Sequence, residues 1–232
     1  MSTRDHSTTR RGFLQSAAAG VAVSAMTHPA MAQKQPPVAL EEYSPTYFTA
    51  EEWTFILAAT ARLIPSEGDG PGATETRVPV FIDLQLAGDF GNAADWYMEG
   101  PHVPDAPAQF GYQSPLTPAE VYRAGIAEFD EWCRQNHNAP FAELDAATQD
   151  AALTALQKGD IKLASTQGAS FFGLLLQNTK EGYFADPLYG GNHGMAAWVH
   201  IGFPGARASY LEWVGIDKPY PLGPVSISGE RA

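Results

Sequence analysis

Residues of the types that are usually buried recur at helical spacing in several stretches of the chain. Between residues 50 and 64 they recur at steps of three and four, which places them on one face of a helix. These positions are Trp53, Ile56, Leu57, Thr60 and Ile64. Thr49 and Glu52 provide a capping box, and Pro65 cannot continue the helix. The pattern predicts a helix that begins after Thr49 and ends at about Ile64.

The same kind of pattern predicts further helices. The clearest follows Thr117, where Pro118 and Glu120 complete an N-terminal capping pattern. Its buried stripe is Tyr122, Ile126, Phe129 and Cys133, and it is expected to end at about Asn136. Other helices are predicted over residues 79–87, 146–158, 167–179 and 194–200. Because no segment alternates with period two, strands should be few. The predicted fold class is mainly α: a single irregular helical domain with long wrapping loops rich in glycine and aromatic residues.

Two regions, residues 88–115 and 182–224, mix glycine and proline with aromatic residues. Such a long loop inside a compact domain is usually functional or pressed against another surface. Since aromatic side chains give large contact area, we expect at least one region to bind a partner protein. The alternative is local packing over the domain's own core. The candidate contact residues are Trp96, Tyr97, Tyr112, Tyr183, Phe184, Asp186, Tyr189, Asn192, Trp198 and Phe203.

The N-terminal residues have the pattern of a twin-arginine export signal. Two arginines are followed at fixed distance by two apolar residues, and a short uncharged run leads to an Ala-x-Ala cleavage site. The residues of this pattern are Arg10, Arg11, Phe13, Leu14, Ala30 and Ala32. We therefore expect a signal peptide over residues 1–32, an extended arm over 33–47 that could lie on a neighbour, and a helical domain with a wrapping C-terminal tail over 48–232. The expected location is the periplasm.

Charge and hydropathy limit the classes of partner. The 232-residue chain has a formal net charge of −12. That balance argues against nucleic acid or an anionic membrane surface as a partner. No apolar stretch after the leader reaches the length that spans a bilayer, so no direct membrane span is expected.

Cofactor motifs are missing from the sequence. The third glycine of a dinucleotide-binding loop that begins at Gly68 and Gly70 would fall on Ala73, and this loop follows a helix instead of a strand. Covalent haem attachment needs two cysteines, and the chain has one. We expect no catalytic, cofactor-binding or metal-binding residue here. One alternative remains open, a metal-dependent enzyme in which Asp186, His193 and His200 converge.

Cys133, the single cysteine, allows three interpretations. It falls on the apolar stripe of its predicted helix, which favours a buried thiol. An odd cysteine in an exported protein instead favours a disulfide bond to another chain, which would place Cys133 at the partner interface. The third interpretation is a reactive thiol. The sequence leaves all three open.

The tail contains a motif specific enough to name a family. Residues 182–193, Gly-Tyr-Phe-Ala-Asp-Pro-Leu-Tyr-Gly-Gly-Asn-His, are followed by Trp198 and by Ile-Gly-Phe-Pro-Gly over 201–205. With Trp-Tyr-Met-Glu-Gly-Pro over 96–101, Gly-Tyr-Gln over 111–113 and Leu-Thr-Pro-Ala-Glu-Val-Tyr-Arg over 116–123, this motif resembles the gluconate 2-dehydrogenase subunit 3 family. These proteins are the small or gamma subunits of membrane-associated flavin-dependent sugar and alcohol dehydrogenases.

The resemblance implies a heterotrimeric complex in which this chain is a non-catalytic accessory subunit. FAD is expected in a large glucose-methanol-choline-type partner, and haem in a multihaem cytochrome c partner that attaches the complex to the inner membrane. The small subunit is expected to act as a maturation chaperone and to carry the large subunit through the twin-arginine translocase. A stand-alone exported binding or structural module is a further alternative.

Overall fold

The structure, a computed structural model, describes residues 39–68, 70–103, 106–166 and 168–232. The predicted signal peptide and most of the predicted arm lie outside these residues. Residues Leu40–Ala232 form one compact unit. The described chain is mainly helical, as predicted, and over the same four ranges no strand forms beyond isolated bridges such as Gly205 with Val225.

Six α-helices form the described part of the molecule. They are α1 (Ala50–Leu63), α2 (Val78–Ala87), α3 (Pro118–His137), α4 (Ala146–Lys158), α5 (Gly168–Phe184) and α6 (Ala196–Ile201). Short 3-10 turns lie before, between and after these helices, at Leu40–Glu42, Ala108–Phe110, Phe141–Glu143, Pro187–Tyr189, His193–Met195 and Leu211–Trp213. Each predicted helix is present.

Local sequence accounts for the helix ends. Both predicted capping boxes form: the Thr49 hydroxyl accepts from the Glu52 amide, and the Thr117 hydroxyl accepts from the Glu120 amide. Asp145 caps α4 by accepting from the amides of residues 147 and 148. Gly159 ends α4 in the left-handed conformation that glycine adopts most easily.

The core is built around aromatic rings from four elements. Phe55 of α1 contacts Phe129 of α3 at a centroid separation of 6.0 Å, Phe141 at 5.2 Å and Phe171 of α5 at 6.3 Å. All these side chains are fully buried. Helix α5 packs against α2, α3 and α4, so it is the central element to which the tail is attached.

Helix α5 continues beyond its predicted end at Thr179. It runs to Phe184, so the first three residues of the supposed tail are helical. Gly182, the first residue of the glycine- and aromatic-rich region, lies inside this helix and serves close packing. A Cβ atom at this position would lie 2.8 Å from Cδ1 of Phe81 in α2, which requires a residue without a side chain.

The part of the arm that the structure describes packs on its own domain. Leu40, Tyr43 and Tyr47 pack against the core. The buried Asp83 of α2 accepts hydrogen bonds from the Tyr43 hydroxyl at 2.7 Å and from the amides of Thr46, Tyr47 and Phe48 at 2.7, 2.9 and 3.1 Å. A buried carboxylate therefore fastens this segment to α2.

Candidate functional site

The segment from 182 to 205, which carries the family-like motif, is held together by its own polar side chains. Asp186 is buried, and its Oδ1 accepts from the amide of Leu188 at 3.0 Å. Its Oδ2 accepts from the amide of Ile227 at 2.7 Å. Asp186 thereby caps the 3-10 turn over Pro187–Tyr189 and ties the C-terminal residues to it. We call residues 182–205 the motif segment.

Asn192 closes the motif segment on itself. Its backbone is left-handed, with φ of 43°, a conformation that asparagine tolerates better than most residues. Its fully buried side chain donates from Nδ2 to the carbonyl of Ala185 at 3.0 Å. Its Oδ1 accepts from the amide of Ala197 at 2.9 Å, which positions the start of α6.

Two aromatic residues of the motif segment have a similar internal role. Trp198 is buried and donates from Nε1 to the carbonyl of Phe184 at 2.9 Å. The Tyr183 hydroxyl donates to the carbonyl of Pro71 at 2.8 Å. Tyr183, Asp186, Asn192 and Trp198 were predicted to contact a partner. The structure instead places them within the domain, because each of their polar groups has an intramolecular partner.

The remaining predicted residues of the motif segment are exposed. Phe184, Tyr189 and Phe203 leave between 43% and 49% of their surface accessible, and Leu188, Val199 and Ile201 are exposed beside them in sequence. Leu84 of α2 is also exposed and packs on Gly190. Exposed apolar groups on a rigid, internally hydrogen-bonded segment are typical of a protein-binding surface.

The loop over residues 88–115 also combines aromatic side chains that pack within the domain with others that are exposed. Trp96 is half-buried and packs edge-on against Phe90 at 5.9 Å and Tyr112 at 4.9 Å. The Tyr112 hydroxyl donates to the carbonyl of Leu116 at 2.6 Å, which holds the loop against the start of α3. Tyr97 is 78% exposed. Trp96 therefore supports the loop, whereas Tyr97 is free to contact another molecule.

Cys133 lies in the core. Its side chain is 0% exposed and belongs to the main cluster of buried apolar residues. Burial, with a further contribution from the charge of Asp130, raises the pKa of the thiol to about 12. A disulfide to another chain or a reactive thiol requires an accessible sulfur atom. The structure thus corrects the placement of Cys133 at the partner interface and supports the buried thiol.

The three residues of the alternative metal site do not converge. Both carboxylate oxygens of Asp186 accept backbone hydrogen bonds, and His193 and His200 are exposed. The His200 ring lies against Gly70 in the loop after α1. Nowhere in the ranges that the structure describes are three His, Cys, Asp or Glu residues close enough to hold a metal ion. Among the same residues, no helix is long and apolar enough to cross a bilayer.

The motif segment and the helices before it match the sequence pattern of a known protein family. The family described as gluconate 2-dehydrogenase subunit 3 matches residues 50–205. The chain belongs to this family. The matched range begins with α1 and ends at Gly205, where the motif segment ends, so residues 206–232 lie outside it. Comparisons with curated proteins and with solved structures find no match.

Proposed function

We propose that this chain is the non-catalytic small subunit of a periplasmic flavoprotein sugar or alcohol dehydrogenase complex. In this proposal it escorts the large FAD-containing subunit through maturation and twin-arginine export. The observation that carries the proposal is family membership over residues 50–205, since the family is named for a subunit of a dehydrogenase. Catalysis then belongs to the flavoprotein partner, and a multihaem cytochrome c subunit attaches the complex to the inner membrane.

The distribution of exposed apolar side chains supports a role in binding. Most of the large apolar residues exposed in the described chain lie after residue 183 or in the loop over 88–115. Leaving such groups in water is unfavourable, and a partner that covers them would gain the corresponding hydrophobic free energy. Since the segment beneath them is fixed by Asp186 and Asn192, little conformational entropy would be lost on docking.

The proposed export role follows from the pair Arg10 and Arg11 in the sequence. A flavoprotein that folds around FAD in the cytoplasm has to cross the membrane in its folded state. If the large subunit has no signal of its own, docking to this chain would carry both proteins across on one signal.

Co-expression with the large subunit tests the proposal. Omitting this chain should leave the large subunit in the cytoplasm and reduce the fraction that contains flavin. Replacing both Arg10 and Arg11 with lysine should keep both chains in the cytoplasm, whereas Arg4→Lys, a matched change in the same leader, should not. The measurement is the periplasmic content of each chain with its flavin absorbance. Normal periplasmic delivery of the flavoprotein in the double-lysine variant would refute the escort role.

A further inference from the structure

The residues that follow the family-matched range form a loop whose two ends are joined. The amide of Ala206 donates to the carbonyl of Val225 at 2.7 Å, and the amide of Val225 donates to the carbonyl of Pro204 at 3.3 Å. Gly205 approaches Val225 so closely that a Cβ atom there would lie 2.2 Å from the Val225 carbonyl oxygen. We call residues 206–222 the clasped loop.

Aromatic and cationic contacts hold the clasped loop in shape. The Arg207 guanidinium lies over the Tyr220 ring at 5.4 Å and donates to the carbonyl of Gly223. The Tyr220 ring packs edge-on against Trp213 at 5.3 Å and Tyr210 at 6.0 Å. The Tyr210 hydroxyl donates to the carbonyl of Gly205 at 2.5 Å. The two halves of the loop therefore contact each other through their rings.

The clasped loop exposes several aliphatic side chains. Leu211 is 82% exposed and begins the 3-10 turn Leu211–Trp213, and Val214, which directly follows this turn, is 77% exposed. Ile216 and Leu222 are exposed as well. The inward-facing rings leave these aliphatic side chains in water, although the loop already has a defined conformation. A preorganised loop of this kind loses little entropy when it docks.

The clasped loop adjoins the motif segment. It begins directly after Gly205, and the chain that follows it returns to the motif segment through the hydrogen bond from the Ile227 amide to Asp186. Phe203, an exposed residue of the motif segment, lies three residues before the loop. The loop thus extends the surface that the proposed function assigns to the large subunit.

We propose that the clasped loop is a second docking element for the large flavoprotein subunit, in which Leu211 and Val214 insert into an apolar groove and Glu212 pairs with a basic side chain at its rim. The inference rests on the proposed function. The loop lies outside the range shared with the family, so the family match alone does not point to it. A partner protein fits better than a bilayer, since Glu212 stands between the apolar residues and a carboxylate is costly in hydrocarbon.

Binding of the purified FAD-containing subunit to the full chain tests this inference. The double variant Leu211→Ser with Val214→Ser should weaken the Kd at least about tenfold, as expected for loss of a buried apolar anchor. Glu212→Gln should weaken it less and reduce its dependence on salt. Lys218→Ser, a matched change in the same loop, should leave the Kd within about twofold of the parent. All variants should keep the parent thermal midpoint, because the altered side chains are exposed.

A second double variant, Leu188→Ser with Tyr189→Ser, separates the inference from the proposed function. If it weakens binding while the loop variant does not, the clasped loop is not a docking element but the proposed function stands. If the parent chain itself fails to bind the flavoprotein, both are refuted. If only the loop variant lost self-association, the loop would bind a second copy of this chain. If only the loop variant lost binding to phosphatidylcholine vesicles, the loop would bind a membrane. Either result would overturn the inference.

Discussion

Cys133 illustrates how far the role of a residue depends on its surroundings. It lies on the inward stripe of α3 with Phe129 and Ile126, all of them buried. Desolvation disfavours the thiolate, which is why the pKa of this thiol is raised to about 12. A thiol that is both protonated and inaccessible is a poor nucleophile, so an oxidising compartment would not by itself place Cys133 in a disulfide bond.

Thiol labelling tests the burial of Cys133. At pH 8 the native protein should react with a maleimide reagent only at the rate at which the fold opens and exposes Cys133, since a pKa of about 12 leaves almost no thiolate at that pH. Labelling should become fast and stoichiometric in denaturant. Non-reducing electrophoresis of the complex should show no band that disappears on reduction. Rapid labelling of the native protein would contradict the buried position.

At the scale of elements, small residues determine how closely the helices approach. Gly125 of α3 lies against the Phe171 ring of α5, and a Cβ atom at this position would be 2.5 Å from Cγ of that ring. Gly173, on the exposed side of α5, has no atom within 4 Å of the corresponding position. The same residue type thus permits close packing at one site and only weakens a helix at the other.

These two glycines form a matched pair for substitution by alanine. Gly125→Ala should lower the free energy of unfolding by about 2 kcal/mol, because it overpacks the contact with Phe171. Gly173→Ala should raise it by roughly 0.5 kcal/mol, because alanine favours the helix and nothing obstructs its methyl group. Urea denaturation at equilibrium measures both values. Equal effects of the two substitutions would show that close packing at Gly125 is not required.

At the scale of the whole molecule, two buried aspartates fasten the ends of the described chain to the helical core. Asp83 holds the segment before α1 through the Tyr43 hydroxyl and the amides of residues 46–48. Asp186 holds the C-terminal residues through the amide of Ile227. In both cases a carboxylate accepts from backbone donors that would otherwise lose their hydrogen bonds to water on burial.

Substitution of these aspartates should have graded effects on stability. Asp83→Asn replaces one acceptor oxygen with an amide group that donates, at a site where several other groups already donate. This substitution should lower the free energy of unfolding by about 3 kcal/mol. Asp186→Asn disturbs fewer hydrogen bonds and should lower it by about 1 kcal/mol. The exposed Asp89→Asn serves as the control and should change it by less than about 0.5 kcal/mol. An Asp83→Asn protein as stable as the control would show that the carboxylate is not needed there.

Local sequence was sufficient for most of the helical architecture. Thr49, Thr117 and Asp145 start helices through hydrogen bonds to amides two or three residues away, so their effect depends on few other parts of the chain. The end of α5 could not be obtained in this way. The helix continues five residues beyond its predicted end at Thr179, and Gly182 within this extension lies so close to Phe81, about a hundred residues earlier in the chain, that no side chain fits there.

The placement of the candidate contact residues depended on the tertiary structure. The sequence grouped Trp198 and Asn192 with Phe203 and Tyr189, since all belong to one motif, but the first two are buried and the last two exposed. Asp83 carries a signal that could have been noticed, a lone charge in the apolar helix over 78–87. The clasped loop lies within the region over 182–224 that the sequence marked as glycine- and aromatic-rich, but the sequence did not show that its rings contact each other while Leu211 is left exposed. Helix caps act locally, whereas burial and exposure are decided by contacts between distant segments, which only the folded chain brings together.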